Sequence, residues 1–263
     1  MIRWAPILAA LLLAGCANPR PAADTQVPPF ARVPFEPFSR TAVVAIALRE
    51  WRLFGGPVDD DAPGSRPSPE PDDKPERQQG LWQRVGEYWW LGLPEGAPEA
   101  GWTGKHDAAG RKFPASQDED FAWSAAFVSY VMRMAGAGAG FPYAAAHYAY
   151  IDAAYEGAVG PSKWSIVAEP PDVYAPVQGD LICASRGARG IRFGDLPGRF
   201  PAHCDIVVAA APGQLDAIGG NVDDAVTLTH VPVTPDGRLA DADGKVVDER
   251  YPWFVVVRVL YEQ

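Results

Sequence analysis

Three polar residues of this 263-residue chain are of the types that nucleophilic catalysis uses. Ser124 lies near the start of the apolar run "WSAAFVSYVMRMAG", where a helix dipole and free amides would favour developing negative charge. His203 opens the strand-like run "HCDIVV", and Asn221 follows "AIGG" on what reads as the next strand. Such a set could activate Ser124, with His203 taking its proton and Asn221 fixing the histidine tautomer. A packing serine, a strand-edge histidine and a turn asparagine explain the same residue types.

Three further residues are candidates for contact with a substrate. His147 follows "FPYAAA" and could line the same cleft, or it could be a buried structural histidine. Arg186 follows "GDLICAS" and could hold a carboxylate, since a guanidinium matches planar anions; a surface salt bridge is the alternative. Trp123, directly before Ser124, is the third.

The cysteines leave two alternatives open. Cys183 and Cys204 could form a disulfide in an oxidising compartment, or one of them could be a reactive thiol. Together with His203 they do not have the spacing of a closed zinc site. The chain has no phosphate-binding loop and no dinucleotide fingerprint, so the sequence predicts no cofactor and no metal.

The N-terminus predicts export and attachment to a membrane. Residues 1–15 combine Arg3, a short apolar run and small residues, as a signal peptide does. The sequence "LAGC" resembles the bacterial lipobox, whose cysteine, here Cys16, carries the lipid. Ala17 after it suggests the periplasmic face of the outer membrane. An ordinary signal peptide is the alternative, and residues 16–38 are a proline-rich tether.

Residues 39–263 form the predicted domain, and its first half predicts helices. Ser39 can cap a helix that ends at Gly55. Helical patterns follow in "GLWQRVGEYWWLGL", in the stretch from about residue 117, and in "FPYAAAHYAYIDAAYEG". The acidic, proline-laden segment at about 57–79 is predicted to be a disordered insertion.

The second half of the domain predicts strands. Residues 165–180 read as a proline-rich connection. Strand patterns follow in "GDLICAS", "HCDIVVAAAPGQLDAIGG", "AVTLTHVPVTPDG" and "WFVVVRVLYE". Helices followed by an antiparallel sheet indicate an α+β domain. The net charge of −10, without a basic cluster, argues against nucleic acid as a partner.

The order of the motifs "WSAAFVS", "FPYAAAHYAYI", "GDLICASR", "HCDIVV" and "IGGNV" resembles the family called domain of unknown function 2272. The same motifs are similar to those of NlpC-type and CHAP-type papain-like peptidases, whose catalytic helix reads Trp-Cys-Ala-x-Phe-Val. The resemblance covers about residues 39–262. It implies a papain-like fold, with N-terminal helices packed on an antiparallel sheet, and cleavage of amide or peptide bonds in bacterial wall peptides.

Carried over by position, the resemblance makes Ser124 the nucleophile, His203 the general base and Asn221 the orienting residue. The chain departs from the pattern twice. Serine replaces cysteine, whose thiol is far easier to ionise, and the acidic residue that CHAP enzymes often carry near Gly219 is absent. The resemblance also makes the strands of the two later cysteines neighbours, although strand alternation could point their side chains to opposite faces.

Three functions remain open from the sequence. The first is hydrolysis of an amide or peptide bond in peptidoglycan by Ser124, His203 and Asn221. The second is an inactive domain that binds wall fragments or a protein partner, and the third is a serine esterase. The expected partners are peptidoglycan or muropeptides, and the membrane through the lipid on Cys16.

Overall fold

A computed structural model describes residues 36–261, with gaps at 63, 68, 188–190, 197, 240–242, 244–247 and 249. The predicted signal peptide, the lipidation site Cys16 and nearly all of the tether lie outside the described residues. None of the helices in the described part is both long and apolar enough to cross a membrane.

In the described part of the chain, four α-helices precede the main part of the sheet. They are α1 (Arg40–Leu53), α2 (Leu81–Gly92), α3 (Ser124–Met134) and α4 (Tyr148–Val159). Ser39 caps α1, since its Oγ accepts the backbone N–H of Ala42. Helix α3 is buried from Ser124 to Met132, as its nearly uniform apolar sequence predicted. It begins later than predicted, because Ala115–Phe121 form a separate 3₁₀ helix.

Six strands form one sheet in the order β1-β6-β2-β3-β4-β5, and all neighbours are antiparallel. The strands are β1 (Ile166–Glu169), β2 (Leu181–Ser185), β3 (Ala202–Ala211), β4 (Gln214–Val222), β5 (Ala225–Pro232) and β6 (Trp253–Val259). The α+β class is therefore confirmed. The prediction of a connection over 165–180 is wrong at β1, because a four-residue edge strand is too short to show a period of two.

The two faces of the sheet bury different clusters. The helices pack on one face, where Phe127 of α3, Ile151 of α4 and Cys204 of β3 belong to the main core. The opposite face carries a smaller cluster that includes Ile182 and Trp253. Helix α3 contacts β3 and β4, two central strands of the sheet.

The first residues of the acidic segment at 57–79, which was predicted to be a disordered insertion, lie along β5 in the structure. The N–H of Asp59 donates to the carbonyl of Leu228 at 2.9 Å, and Asp60 Oδ2 lies 2.8 Å from His230 Nδ1. Arg66 pairs with Asp59 at 3.2 Å. Strand β5 thus supplies hydrogen bonds and charge partners that the composition of the segment does not reveal.

A disulfide joins Cys183 of β2 to Cys204 of β3. The strand register places the two residues directly opposite each other, so their side chains point to the same face. Both are fully buried in the main core. The alternative left open by the sequence, in which the two cysteine side chains point to opposite faces of the sheet, does not occur.

We expect the double variant Cys183→Ala/Cys204→Ala to lose about 3 kcal/mol of unfolding free energy, because the bond closes a loop with a sequence separation of 21. Urea unfolding of both proteins measures the loss. Reducing agent should lower the wild-type midpoint and leave that of the double variant unchanged. Equal midpoints for the two oxidised proteins would contradict the prediction.

Candidate active site

Ser124 is the first residue of α3, and Trp123 occupies the N-cap position. The first amides of a helix have no acceptor within the helix, and within the described residues no side chain caps this end. Ser124 is therefore not the cap, although it is only 5% exposed. Its hydroxyl lies where helix amides favour negative charge.

The hydrogen-bond partner of Ser124 is His147, not the expected His203. The Nε2 atom of His147 lies 2.8 Å from Ser124 Oγ. Burial, followed by the nearby His203 and Arg186, lowers the pKa of His147 well below its ordinary value of 6.5. His147 is thus neutral at neutral pH and can accept a proton from the serine. Its Nδ1 is buried and has no partner among the described residues.

His203 faces two other charged groups. Its Nδ1 accepts a hydrogen bond from Arg186 Nη2 at 3.0 Å, which places the ring proton of the neutral form on Nε2. That Nε2 lies 2.7 Å from Asp205 Oδ1, in a close contact that does not have the geometry of a regular hydrogen bond. The ring centroids of His203 and His147 are 5.4 Å apart. His203 therefore contacts the serine–histidine pair through His147.

Asp205 stands beside His203 where the sequence predicted Asn221. The two residues of β3 are two positions apart and share one face of the strand. Gly219 on the neighbouring strand makes room for them, since a Cβ there would lie 2.2 Å from Asp205 Oδ1. The acidic group that seemed missing near Gly219 is thus supplied by β3. Asn221 has a φ of 58° and forms no hydrogen bond with His203 in the described chain.

A cleft of about 440 Å³ opens beside His203 on the sheet face away from the helices. Asn221 and Arg186 both line it. The remaining lining residues are Asp59, Gly64, Ala184, Ser185, Gly187, His203, Asp205, Val222, Asp223, Arg250, Tyr251 and Pro252. We call this space the polar cleft. Ser124 and His147 lie behind His203 and are not part of its lining.

Trp123 packs inside the protein and does not reach the polar cleft. It is fully buried between Phe54 and Tyr88, and its Nε1 donates to Glu76 Oε2 at 2.6 Å. The expected contact between Trp123 and a substrate is therefore replaced by a packing role. Its hydrogen bond ties the start of α3 to the segment before α2.

Glu76 belongs to a buried group of carboxylates. Oxygens of Glu76, Asp118 and Asp224 all lie within 4.8 Å of one another, a spacing that a metal ion could use. The ammonium of Lys74 lies 2.7 Å from Asp118 and 3.3 Å from Asp224, so a lysine already supplies positive charge there. Burial raises the pKa of Glu76 to about 8, so it is mostly protonated at neutral pH.

Tyr150 fixes the loop of His147 against the first turn of α3. Its hydroxyl lies 2.6 Å from the carbonyl oxygen of Ala125 and 2.7 Å from that of Ala144, and it can donate to either. Ser129 Oγ lies 2.5 Å from the same hydroxyl and accepts the N–H of Ala144. Ala125 directly follows Ser124, and Ala144 lies three residues before His147. These hydrogen bonds therefore fix the positions of Ser124 and His147 relative to each other.

Two residues of the site had signals that sequence reasoning missed. The spacing His203-x-Asp205 on a strand places both side chains on one face, which predicts their contact. Tyr150 lies three residues after His147, one helical turn away, and indicates a shared environment. The pairing of Ser124 with His147 had no local signal, because it depends on how a loop packs against a distant helix.

We expect Tyr150→Phe to lower the free energy of unfolding by about 1–2 kcal/mol, because buried hydrogen bonds between α3 and the His147 loop are lost. Urea unfolding measures the change. Tyr155→Phe on the same helix is the control, since its hydroxyl only accepts the exposed N–H of Gly194. Equal losses in the two variants would argue against the proposed restraint.

The raised pKa of Glu76 predicts a pH-dependent stability. The folded state holds the proton more tightly than the unfolded chain, so this contribution is present below about pH 4.5 and is lost as pH rises towards 8. Glu76→Gln keeps an acceptor for Trp123 and does not titrate. Its unfolding free energy should fall less over this range than that of wild type, whereas the exposed Glu95→Gln should follow wild type. Parallel curves for Glu76→Gln and wild type would refute the assignment.

One family model matches the chain, over residues 76–259. Its description is "Uncharacterized protein conserved in bacteria (DUF2272)". No curated protein matches the chain, and no solved structure matches it either. The matched region begins at Glu76, contains Ser124, His147 and His203, and ends with strand β6. The chain therefore belongs to the domain of unknown function 2272 family.

Proposed function

We propose that this protein is a hydrolase of the bacterial cell envelope that cleaves an amide or peptide bond in peptidoglycan. Ser124 is the nucleophile and His147 is its base. The observation that carries the proposal is the 2.8 Å contact between Ser124 Oγ and His147 Nε2 at the uncapped start of a buried helix. A nucleophile, a neutral base and free helix amides are the groups that acyl transfer needs.

Each group has a defined task in the proposed reaction. His147 accepts the hydroxyl proton as Ser124 Oγ attacks the carbonyl carbon of the substrate. The N–H groups at the start of α3 stabilise the oxyanion that forms. His147, now protonated, returns the proton to the leaving amine. Water then attacks the acyl group on Ser124, His147 accepts the proton of the water, and it returns that proton to Ser124 Oγ as the acid product leaves. The low pKa of His147 keeps the base neutral before it accepts a proton.

In the proposed site, His203 connects the Ser124–His147 pair to the polar cleft. Its ring lies against His147, and its edge lines the cleft. Asp205 and Arg186 flank the ring on its two nitrogen sides and orient it, a task that the sequence analysis predicted for Asn221. Similarity to the motifs of papain-like NlpC and CHAP peptidases supports an acyl substrate, with serine in place of their cysteine.

The proposed location follows from the sequence alone. The lipobox "LAGC" supports lipid attachment at Cys16 and a position on the periplasmic face of the outer membrane. A chain anchored through Cys16 and a proline-rich linker would meet the peptidoglycan layer directly.

Digestion of purified peptidoglycan, followed by mass spectrometry, tests the proposal. Wild type and the exposed-serine control Ser116→Ala should release the same new fragments. Ser124→Ala and His147→Gln should each be slower by about 100-fold or more, because one removes the nucleophile and the other the base. Circular dichroism of each variant shows that it is folded. Persistence of the fragments with Ser124→Ala would overturn the assignment. The absence of fragments from both wild type and Ser124→Cys would also overturn it.

A specific observation favours binding without turnover as the second candidate. Nδ1 of His203 is bonded to Arg186, Nε2 of His203 faces Asp205 at 2.7 Å, and Ser124 is not part of the cleft lining. A cleft of this kind could hold wall fragments or a protein segment while the serine remains inert. In that case muropeptides bind wild type and Ser124→Ala equally, and no fragment appears. Small activated esters, measured on the same variants, test the esterase alternative.

A further inference from the structure

Arg186 stands at one wall of the polar cleft. It directly follows β2, and its backbone N–H donates to the carbonyl of Pro201 at 2.9 Å. One hydrogen bond of its guanidinium goes to His203 Nδ1, which leaves further N–H groups for other acceptors. The side chain is accessible to solvent at the cleft. It is therefore positioned by the fold and still able to receive a ligand.

Among the described residues, no carboxylate lies within ion-pair distance of the guanidinium of Arg186, whereas Arg250 of the same lining pairs with Asp248 at 3.0 Å. Two acidic groups of the lining have other partners within ion-pair distance, since Asp59 pairs with Arg66 and Asp205 lies beside His203. A bound anion would supply the counterion that Arg186 lacks among these residues.

We propose that the polar cleft binds the free terminal carboxylate of a short peptide, with Arg186 as the residue that receives it. If the carboxylate binds at Arg186, the bond cleaved lies close to the carboxyl end of the peptide; this consequence rests on the proposed function. Arg186, His203, His147 and Ser124 form one chain of contacts, so a peptide held at Arg186 would have to reach around His203 for one of its bonds to meet Ser124.

The chemistry of the guanidinium selects this ligand. Its planar donors match the two oxygens of a carboxylate and form charge-assisted hydrogen bonds with them. A cleft of about 440 Å³ is at the small end of ligand sites, which suits a peptide of a few residues rather than a folded partner. An amide at the same end of the peptide would lack the charge and would leave Arg186 unpaired.

Calorimetric titration of the full chain carrying Ser124→Ala tests the inference without turnover. The probes are N-acetyl-alanyl-alanine and its C-terminal amide. The acid should bind at least about tenfold more tightly than the amide, the usual effect of a charge-assisted pair. Adding Arg186→Gln, which keeps a donor for His203, should abolish this preference. Arg186→Lys should retain part of it, and Arg111→Gln, an exposed arginine paired only with Asp107, should not change it.

Two results would overturn the inference. One is equal affinity for acid and amide, or no binding of either, in the chain with intact Arg186. The other is an acid preference that survives Arg186→Gln. The hydrolase proposal fails separately, by the absence of fragments from wild type, because this titration uses a variant without the nucleophile.

Discussion

The close approach of helix α3 to strand β4 is the constraint on which the rest of the site depends. A Cβ at Gly220 would lie 2.5 Å from Cβ of Phe127, so a side chain there would force the helix away from the sheet. On the other face, Gly219 leaves the space that His203 and Asp205 occupy. Two adjacent glycines thus set both the distance of the helix from the sheet and the room for the polar side chains.

Two buried polar pairs of this interior tie the start of α3 to other elements. The pair Ser124–His147 joins α3 to the loop before α4, and Trp123–Glu76 joins the same helix start to the segment before α2. Burying a polar group without a partner costs more than a hydrogen bond contributes, so such pairs discriminate against misplaced helices. Among the described residues, the buried Nδ1 of His147 has no hydrogen-bond partner, and it lies at the place where we propose chemistry.

The sequence predicted the parts of the fold that depend on local pattern. The cap at Ser39, the uniform burial of α3 and the succession of helices and strands follow from periodicity and turn residues. The partner of Ser124 did not follow, because four histidines gave a choice that only packing decides. The carboxylate beside His203 was sought near Gly219 on the next strand, although its own strand carries Asp205. The alternation of side chains along that strand places Asp205 on the same face as His203 and would have predicted the contact.

The covered edges of the sheet have a consequence for how copies of this chain meet. An open edge strand presents unpaired N–H and C=O groups and can join the sheet of a second molecule. Here the segment around Val58 and Asp59 is bonded to Leu228 along β5. At the opposite edge, β1 is only four residues long and Pro170 follows it directly. Both routes to edge-to-edge aggregation are therefore obstructed, which would keep neighbouring chains separate even at high protein concentration.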